Sequence, residues 1–420
     1  MHLGNKPEIN RLFMNALSKA HDLFGPSESR SAVRMESLAI ADRQIPKYIE
    51  EFWTSKQRQA SRIHEISYRA CFKPQLPRFF IEILTKIGDV IYDPFSGRGT
   101  TAIEAALLRR NIAANDINPL SRILTEPRLM IPEPDRIEKR LAEIPFSKDA
   151  RADIDLSMFY HPETESEIAS LRNYLSLRSG NDKEDEIDKW IRMVATNRLT
   201  GHSSGFFSVY TLPPNQAVSQ EKQKKINKLR NQVPEYRDIR KIIMRKTLSL
   251  ISNLSAVQIS GLRAAGSAAK FFTMDATNVY GLDDESVQLT VTSPPFLDVV
   301  HYSRDNWLRC WFNSVDIEAI SRNITMAKKI TEWSRIMGLV FKDLFRITMK
   351  NGWVAFEVGE VRRGSIKLEE HIVPLGLDAG FECRCVIINE QQFTKTSNIW
   401  GVSNNLNGTN SNRIVLFQKA

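Results

Sequence analysis

The chain has 420 residues, 42% of them hydrophobic, which is enough for a sizeable core in one large domain or two to three smaller ones. Its 58 basic and 49 acidic residues give a formal charge of +9, which favours an anionic partner, with nucleic acid first. The four cysteines form no CxxC pair, so their spacing indicates neither a zinc knuckle nor a disulfide framework. No apolar run reaches the length of a membrane span. We therefore expect a cytoplasmic protein with no metal and no membrane partner.

Residues 1–59 are predicted to form an N-terminal helical extension. Apolar residues approximate helical spacing across residues 7–24, and residues 36–53 favour a second helix. The pattern then changes at a short apolar run, residues 90–92, which marks the start of a different architecture.

The segment DPFSGRGTT lies between that apolar run and the helix-forming sequence AIEAALLRR, which predicts strand, Gly-rich turn and helix. Gly97 and Gly99 would let the backbone approach a ligand at the helix N-terminus. The next predicted strand, NIAAND, ends at Asp116, 19 residues after Gly97. A carboxylate there can accept hydrogen bonds from both ribose hydroxyls of an adenosine. Because neither GxGxxG nor a P-loop pattern occurs in DPFSGRGTT, redox chemistry and phosphoryl transfer are poor explanations of the turn.

Residues 122–267 have mostly helical or loop-like patterning and are too long for an ordinary crossover, so we expect an inserted domain. Ten basic residues and only three acidic ones occupy positions 219–246. This run is either a solvated helix face or a DNA-contacting surface. The segment GHSSGFFSVYTLPPNQ is similarly either a tight turn or a DNA-contacting loop. The candidate DNA-binding residues are Lys224, Lys225, Lys228, Arg230, Arg237 and Arg240.

Strand-like segments recur at FFTMDA, VQLTVT, GWVAFEVG, CRCVIIN and NRIVLFQK, with helical stretches between several of them. This alternation predicts an α/β fold with a mainly parallel, doubly wound sheet. Asp275 follows one of these strands and would lie at the carboxyl edge of the sheet, where ligands of open α/β folds bind. It could meet an adenine amine there.

The strand VQLTV leads directly into Ser293, Pro294, Pro295 and Phe296. A Pro-Pro pair presents backbone carbonyls rigidly, and carbonyls suit an amine that must donate protons. Ser293 can add another acceptor, and Phe296 offers a flat face for a base that has left the duplex. Alone, this segment could be only a proline-rich turn.

Together, DPFSGRGTT, NDINPLS and TSPPF resemble the S-adenosylmethionine-dependent amino-methyltransferases of DNA. The resemblance implies a Rossmann-like class I methyltransferase core over residues 60–121 and 268–420, with residues 122–267 as a largely helical inserted domain for target recognition. It implies that Ser293, Pro294, Pro295 and Phe296 are catalytic. The cofactor-binding residues that it implies are Phe72, Lys73, Asp93, Phe95, Gly97, Gly99, Thr100, Asp116 and Asp275.

The tetrapeptide SPPF is typical of the cytosine-N4 enzymes of that family, whereas DPPY and NPPY are typical of the adenine-N6 enzymes. The resemblance therefore implies site-specific, direct methyl transfer to N4 of a flipped cytosine in double-stranded DNA, and it allows a cognate restriction endonuclease as a companion. No cysteine lies beside Pro294 or Pro295, which disfavours carbon-5 methylation. Adenine-N6 methylation, tRNA guanine-N2 methylation and a noncatalytic DNA-binding specificity subunit remain alternatives.

Overall fold

A computed structural model describes residues 34–40, 42–50, 60–68, 71–212, 217–295, 302–323, 329–361, 366–390 and 411–420. Its strands are β1 Arg34–Ile40, β2 Arg43–Glu50, β3 Val90–Asp93, β4 Asn111–Asn115, β5 Lys270–Phe272, β6 Val287–Thr292, β7 Thr348–Val358, β8 Glu360–Val361, β9 Ile366–Lys367, β10 Glu382–Glu390 and β11 Ser411–Gln418. Its α-helices are α1 Gln75–Leu84, α2 Thr100–Leu107, α3 Leu120–Thr125, α4 Pro134–Glu143, α5 Pro162–Gly180, α6 Glu186–Arg198, α7 Gln220–Arg230, α8 Ile239–Ile251, α9 Ala256–Ala268, α10 Tyr302–Phe312, α11 Ile317–Asn323, α12 Ile330–Ile347 and α13 Leu368–Asp378. None of these described helices is long and apolar enough to cross a membrane.

Nine of the described strands form one sheet in the order β1-β2-β10-β11-β7-β6-β3-β4-β5. The strands from β7 through β6, β3 and β4 to β5 are parallel, and β11 runs antiparallel between β7 and β10. The predicted α/β fold with a mostly parallel sheet is therefore confirmed. The strand order brings the carboxyl ends of β3, β4, β5 and β6 to one edge of the sheet.

The sheet is covered on both faces, as parallel strands require. Ile91 of β3 packs into one hydrophobic layer, with helices α1, α2 and part of the segment 122–267. The next residue, Tyr92, packs into the opposite layer, against residues of α12 and α13. Because successive side chains of a strand point to opposite faces, the apolar run at residues 90–92 serves both layers.

The helix predicted for residues 36–53 is wrong, because residues 34–50 form a β-hairpin instead. β1 pairs antiparallel with β2, and Asp42 forms the turn in the left-handed region at φ 58°. β2 then pairs in parallel with β10, which lies more than 330 residues later in the chain. This long-range pairing satisfies the backbone of β2, and local apolar spacing cannot reveal such a partner. The helix predicted for residues 7–24 lies outside the described residues.

The described secondary structure within residues 122–267 is helical, from α3 to α9, apart from an isolated β-bridge between Gly201 and Tyr210. These helices do not have a separate core. Ile137, Trp190 and Ile243 belong to the same buried cluster as Ile91 and Ile103 of the sheet layer. The segment is therefore packed directly on one face of the nine-stranded sheet, and its boundaries as a domain stay a prediction.

Candidate active site

The turns that follow β3, β4, β5 and β6 surround one cavity at the carboxyl edge of the sheet. Residues that precede α1 and residues of α12 complete its wall. The lining residues are Tyr68, Cys71, Phe72, Asp93, Pro94, Phe95, Ser96, Gly97, Thr100, Asp116, Ile117, Asn118, Met274, Asp275, Ala276, Thr277, Ser293, Pro295, Ile336, Met337 and Val340. The two predicted halves of the site, the Gly-rich turn and residues 293–295 (the SPP segment), therefore share one cavity.

Asp116 closes the Gly-rich turn from the neighbouring strand. Its Oδ2 accepts the Gly97 N–H at 2.8 Å, and its Oδ1 accepts the Asn118 N–H at 2.9 Å. Gly97 has a φ of 53°, a left-handed conformation that favours glycine. Each carboxylate oxygen has a second lone pair, so the Asp116 side chain can still accept hydrogen bonds from a ligand diol. Burial raises the pKa of Asp116 to about 6, against the effect of these two hydrogen bonds.

Gly99 contacts a neighbouring helix, and its predicted role in cofactor binding stays a prediction. It caps α2 at φ 73°, and a Cβ built on it would lie 2.2 Å from the Thr125 hydroxyl oxygen. The close approach is therefore between the Gly-rich turn and α3, and Gly99 is not among the residues that line the cavity. Glycine at this position permits helix packing, which in turn sets the position of the turn.

Asp93 links the Gly-rich turn to the end of β6, which leads into the SPP segment. Its Oδ1 accepts the Thr292 hydroxyl at 2.6 Å and the Phe95 N–H at 3.1 Å. Thr292 is the last residue of β6 and directly precedes Ser293. Burial raises the pKa of the Asp93 carboxyl to about 7, and its hydrogen bonds oppose that change. Asp93 therefore fixes the Gly-rich turn relative to the SPP segment.

Asn115 attaches the turn that contains Asp275 to the same edge. Its Nδ2 donates to the Met274 carbonyl at 3.0 Å, and its Oδ1 accepts the Met274 N–H at 3.2 Å. The exposed Asp275 carboxylate accepts the Thr277 N–H at 2.8 Å. Asp275 is thus held at the cavity wall, as predicted from its place after β5.

The SPP segment is fixed by a contact that the sequence did not suggest. The indole N–H of Trp333, on α12, donates to the Pro295 carbonyl at 3.0 Å. Ser293 and Pro295 line the cavity, whereas Pro294 is buried and does not. Phe296 lies outside the described residues.

Most of the lining residues that sequence reasoning missed are apolar. Ile336, Met337 and Val340 form a wall on α12, more than 40 residues from the SPP segment in the chain. Their spacing indicates only a buried helix face, so no local signal identifies them. Ser96 and Asn118 could have been found, because they lie inside the motifs DPFSGRGTT and NDINPLS.

The structure brings most of the predicted cofactor-binding residues together. Phe72, Asp93, Phe95, Gly97, Thr100, Asp116 and Asp275 all line the cavity. Lys73 does not, and its carbonyl accepts the Leu76 N–H at the start of α1. The ligand contacts of these residues stay predictions.

The predicted DNA-binding residues do not line the cavity and differ in their surroundings. Lys225 and Lys228 are exposed on α7, and Lys224 lies 3.5 Å from the Asp155 carboxylate. The Arg230 guanidinium stacks 3.8 Å from the centre of the Tyr210 ring, and that of Arg240 lies 4.2 Å from the centre of the Phe146 ring. Arg237 donates to three backbone carbonyls of the segment 203–208.

The raised pKa values of the buried carboxyls predict a pH-dependent stability. Burial raises the pKa of Asp93 and of Glu357 to about 7 and that of Asp116 to about 6. The folded protein then binds more protons than the unfolded chain between about pH 4.5 and pH 7, so the free energy of unfolding should fall as pH rises through that window. For Asp93 alone we expect a fall on the order of 2 kcal/mol between pH 5 and pH 7.5.

Urea denaturation at both pH values measures this fall. Asp93→Asn keeps an oxygen acceptor for Thr292 and Phe95 but cannot titrate, so it should reduce the difference between the two pH values. The Asp185 carboxylate should not contribute to this fall, because hydrogen bonds with Arg140 overcome its burial and lower its pKa to about 2. An Asp93→Asn variant with the same pH dependence as the unsubstituted protein would contradict the prediction.

Comparison with known proteins finds similarity to a DNA methylase family and to type II methyltransferases. The N6/N4 methyltransferase family model, described as DNA methylase, matches residues 23–124. The type II methyltransferase M.MvaI of Kocuria varians is 27% identical over 128 residues, which are 30% of this chain and 25% of that protein. M.BsoBI of Geobacillus stearothermophilus is 33% identical over 159 residues, 34% of this chain and 31% of that protein. The matched segments thus span about a quarter to a third of the length of these relatives.

A crystal structure of a SAM-dependent methyltransferase from Methanosarcina mazei is also similar. It is 10% identical, with 81% of this chain and 96% of that chain covered, at a TM-score of 0.33. The part of the chain that the family model matches includes the Gly-rich turn and Asp116.

Proposed function

We propose, from the premise that this chain belongs to the N4/N6 DNA methyltransferase family, that it methylates the N4 amine of a flipped cytosine at specific sites in DNA. One observation carries the proposal. The Asp116 carboxylate and Ser293 line the same cavity, so groups suited to an adenosine and groups suited to an amine face a common space. Direct methyl transfer needs both reactants in one such space.

The residues of the cavity fit S-adenosylmethionine, the methyl donor of this family. The Asp116 carboxylate would hold the ribose hydroxyls, and the apolar wall of Met337 and Val340 would cover the adenine ring. Ser96 Oγ is buried at the cavity and has no hydrogen-bond partner within the described ranges, which leaves it available to a polar group of the cofactor. When bound, the donor supplies a methyl group activated by its sulfonium.

Ser293 is the acceptor that we assign to the target amine. The Pro294 carbonyl, which the sequence also predicted, belongs to a buried residue that does not line the cavity, and its role stays a prediction. Trp333 already donates to the Pro295 carbonyl, which holds the segment in place and leaves Ser293 at the cavity wall. A cytosine amine is weakly nucleophilic because its lone pair is conjugated with the ring, so orientation of the nitrogen toward the methyl group would supply most of the rate increase. The Ser293 hydroxyl oxygen would accept a hydrogen bond from the amine as positive charge develops on nitrogen, and the methylated nitrogen would then lose one proton to solvent.

Ser293 is also the residue on which the choice of cytosine depends. The first residue of the tetrapeptide is serine here, as is typical of cytosine-N4 enzymes, whereas aspartate or asparagine is typical of adenine-N6 enzymes. The described part of the cavity is compatible with either target amine, cytosine N4 or adenine N6. The base assignment therefore rests on this one side chain and is the first point to measure.

The test incubates the full chain with methyl-labelled S-adenosylmethionine and, separately, duplex DNA of mixed sequence or tRNA. Nucleosides from each digest are then identified by mass spectrometry. We expect N4-methylcytosine from DNA. N6-methyladenine would overturn the base assignment alone, label in tRNA would favour the guanine-N2 alternative, and no transfer to either substrate would favour a noncatalytic DNA-binding role.

A further inference from the structure

A stripe of basic residues lies on one side of α8 and is separate from the cavity. We define the α8 stripe as Arg237, which lies just before the N-cap residue Asp238, together with Lys241 and Arg245, which lie one turn apart on the same face of α8. Over the four residues from Lys241 to Arg245 a helix rises about 6 Å. That length matches about two nucleotides along one strand of DNA, at about 3.4 Å each.

The two arginines of the α8 stripe are held in place by backbone carbonyls. Arg237 Nη1 donates to the carbonyls of Ser203 at 3.1 Å and Phe206 at 2.8 Å, and also to that of Ser208. Arg245 Nη2 donates to the Ser204 carbonyl at 3.1 Å. A guanidinium has five N–H donors, so most of these donors stay available.

No carboxylate within the described ranges lies within 4 Å of either guanidinium, in contrast to the paired arginines of α4 and α5. Glu235 lies close enough to Arg237 to act on it electrostatically. Lys241 is 85% exposed at its side chain and lies 3.4 Å from Asp238, the N-cap residue of α8. The α8 stripe therefore keeps a net positive charge, and its two arginines are held in position by backbone carbonyls.

The α8 stripe is connected to the cavity through the segment that precedes α1. Lys246, beside Arg245 in the chain, contacts the Glu65 carboxylate at 3.0 Å. Farther along, Arg62 donates from Nη1 to the Ser252 hydroxyl at 3.1 Å. Tyr68, three residues after Glu65, lines the cavity. α8 is thus docked on the same short segment that forms part of the cavity wall.

We infer that the α8 stripe binds the phosphate backbone of the DNA whose target base enters the cavity, an inference that rests on the proposed function. Each of the two arginines, held in a fixed orientation, suits the bidentate geometry of a phosphate. Together with a single-point contact from Lys241, they would set the register of the duplex without reading its sequence. The exposed lysines of α7 are the competing surface. They carry similar charge, but Lys225 and Lys228 have no comparable anchoring contact among the described residues.

The test measures duplex DNA binding by fluorescence anisotropy at salt concentrations of about 50 to 200 mM. Each of Lys241→Gln and Arg245→Gln should weaken binding several-fold and reduce the slope of log affinity against log salt by about 0.9. Lys86→Gln is the matched control, because it removes one exposed charge just before β3, at the opposite edge of the sheet. Binding of S-adenosylhomocysteine should be unchanged in all three, which confirms that the cavity is intact.

Equal salt slopes for the two α8 variants and the Lys86→Gln control would overturn the inference. A reduced slope only in Lys225→Gln and Lys228→Gln would also overturn it, in favour of α7. The methyl-transfer assay separates this outcome from failure of the proposed function. A protein that methylates DNA without α8 dependence contradicts only the inference, whereas one that binds DNA through α8 but transfers no methyl group contradicts only the methyltransferase proposal.

Discussion

Replacement of Asp116 by alanine should weaken the binding of S-adenosylhomocysteine by about 100-fold or more. The carboxylate is the acceptor that we assign to two ribose hydroxyls, and a hydrogen bond to a charged group contributes about 1.5–3 kcal/mol. Two such bonds correspond to at least about 100-fold in affinity. The substitution also removes the acceptor of the Gly97 and Asn118 N–H groups, which hold the Gly-rich turn. Isothermal titration calorimetry measures the change.

The amide variant and pH sharpen this prediction. Asp116→Asn keeps one oxygen acceptor and should have an intermediate effect. Because burial raises the pKa of Asp116 to about 6, the ionised acceptor is populated above that pH, and affinity should increase as pH rises from 5 to 7. Asp89→Asn is the control, since Asp89 directly precedes β3 at the amino edge of the sheet and accepts the Lys86 N–H. An affinity of Asp116→Ala within threefold of the unsubstituted protein would show that Asp116 does not bind the cofactor.

Replacement of Ser293 by alanine should reduce kcat for methyl transfer about 30- to 100-fold and leave the affinity for S-adenosylhomocysteine within about threefold. The expected loss corresponds to about 2–3 kcal/mol, which is typical of one hydrogen bond made to developing charge in the transition state. Asp93, Thr292 and Trp333 hold the surrounding segment by contacts that do not involve the Ser293 hydroxyl. Single-turnover rates and calorimetry on the same variant separate turnover from binding.

A serine at the other end of the same strand supplies the control for Ser293. The Ser286 hydroxyl donates to the Asp283 carbonyl at 2.7 Å, just before β6 begins, so Ser286→Ala should leave kcat unchanged. If Ser293→Ala and Ser286→Ala have equal kcat values, Ser293 does not contact the amine. An equal loss of kcat and of cofactor affinity in Ser293→Ala would instead indicate that the substitution distorts the cavity.

The chemistry of the candidate site could be predicted largely from the chain because its polar groups follow strands directly. Asp93, Asp116, Asp275 and Ser293 each stand at or just after the carboxyl end of a predicted strand, and parallel strands bring these ends to one edge. The positive φ of Gly97 likewise follows from a local turn. Such features depend on neighbouring residues in the chain, so local pattern is enough to find them.

The sequence by itself thus determined the α/β class, the motifs that follow the central strands and the polar residues that line the cavity. Only the tertiary structure decided that β2 extends the sheet beside β10, that Gly99 packs against Thr125, and that Trp333 holds Pro295. These contacts join residues that are between 26 and more than 330 positions apart. Local propensity and spacing do not show which distant residues will form hydrogen bonds with a strand or pack against a turn. Those contacts depend on the packing of the whole core.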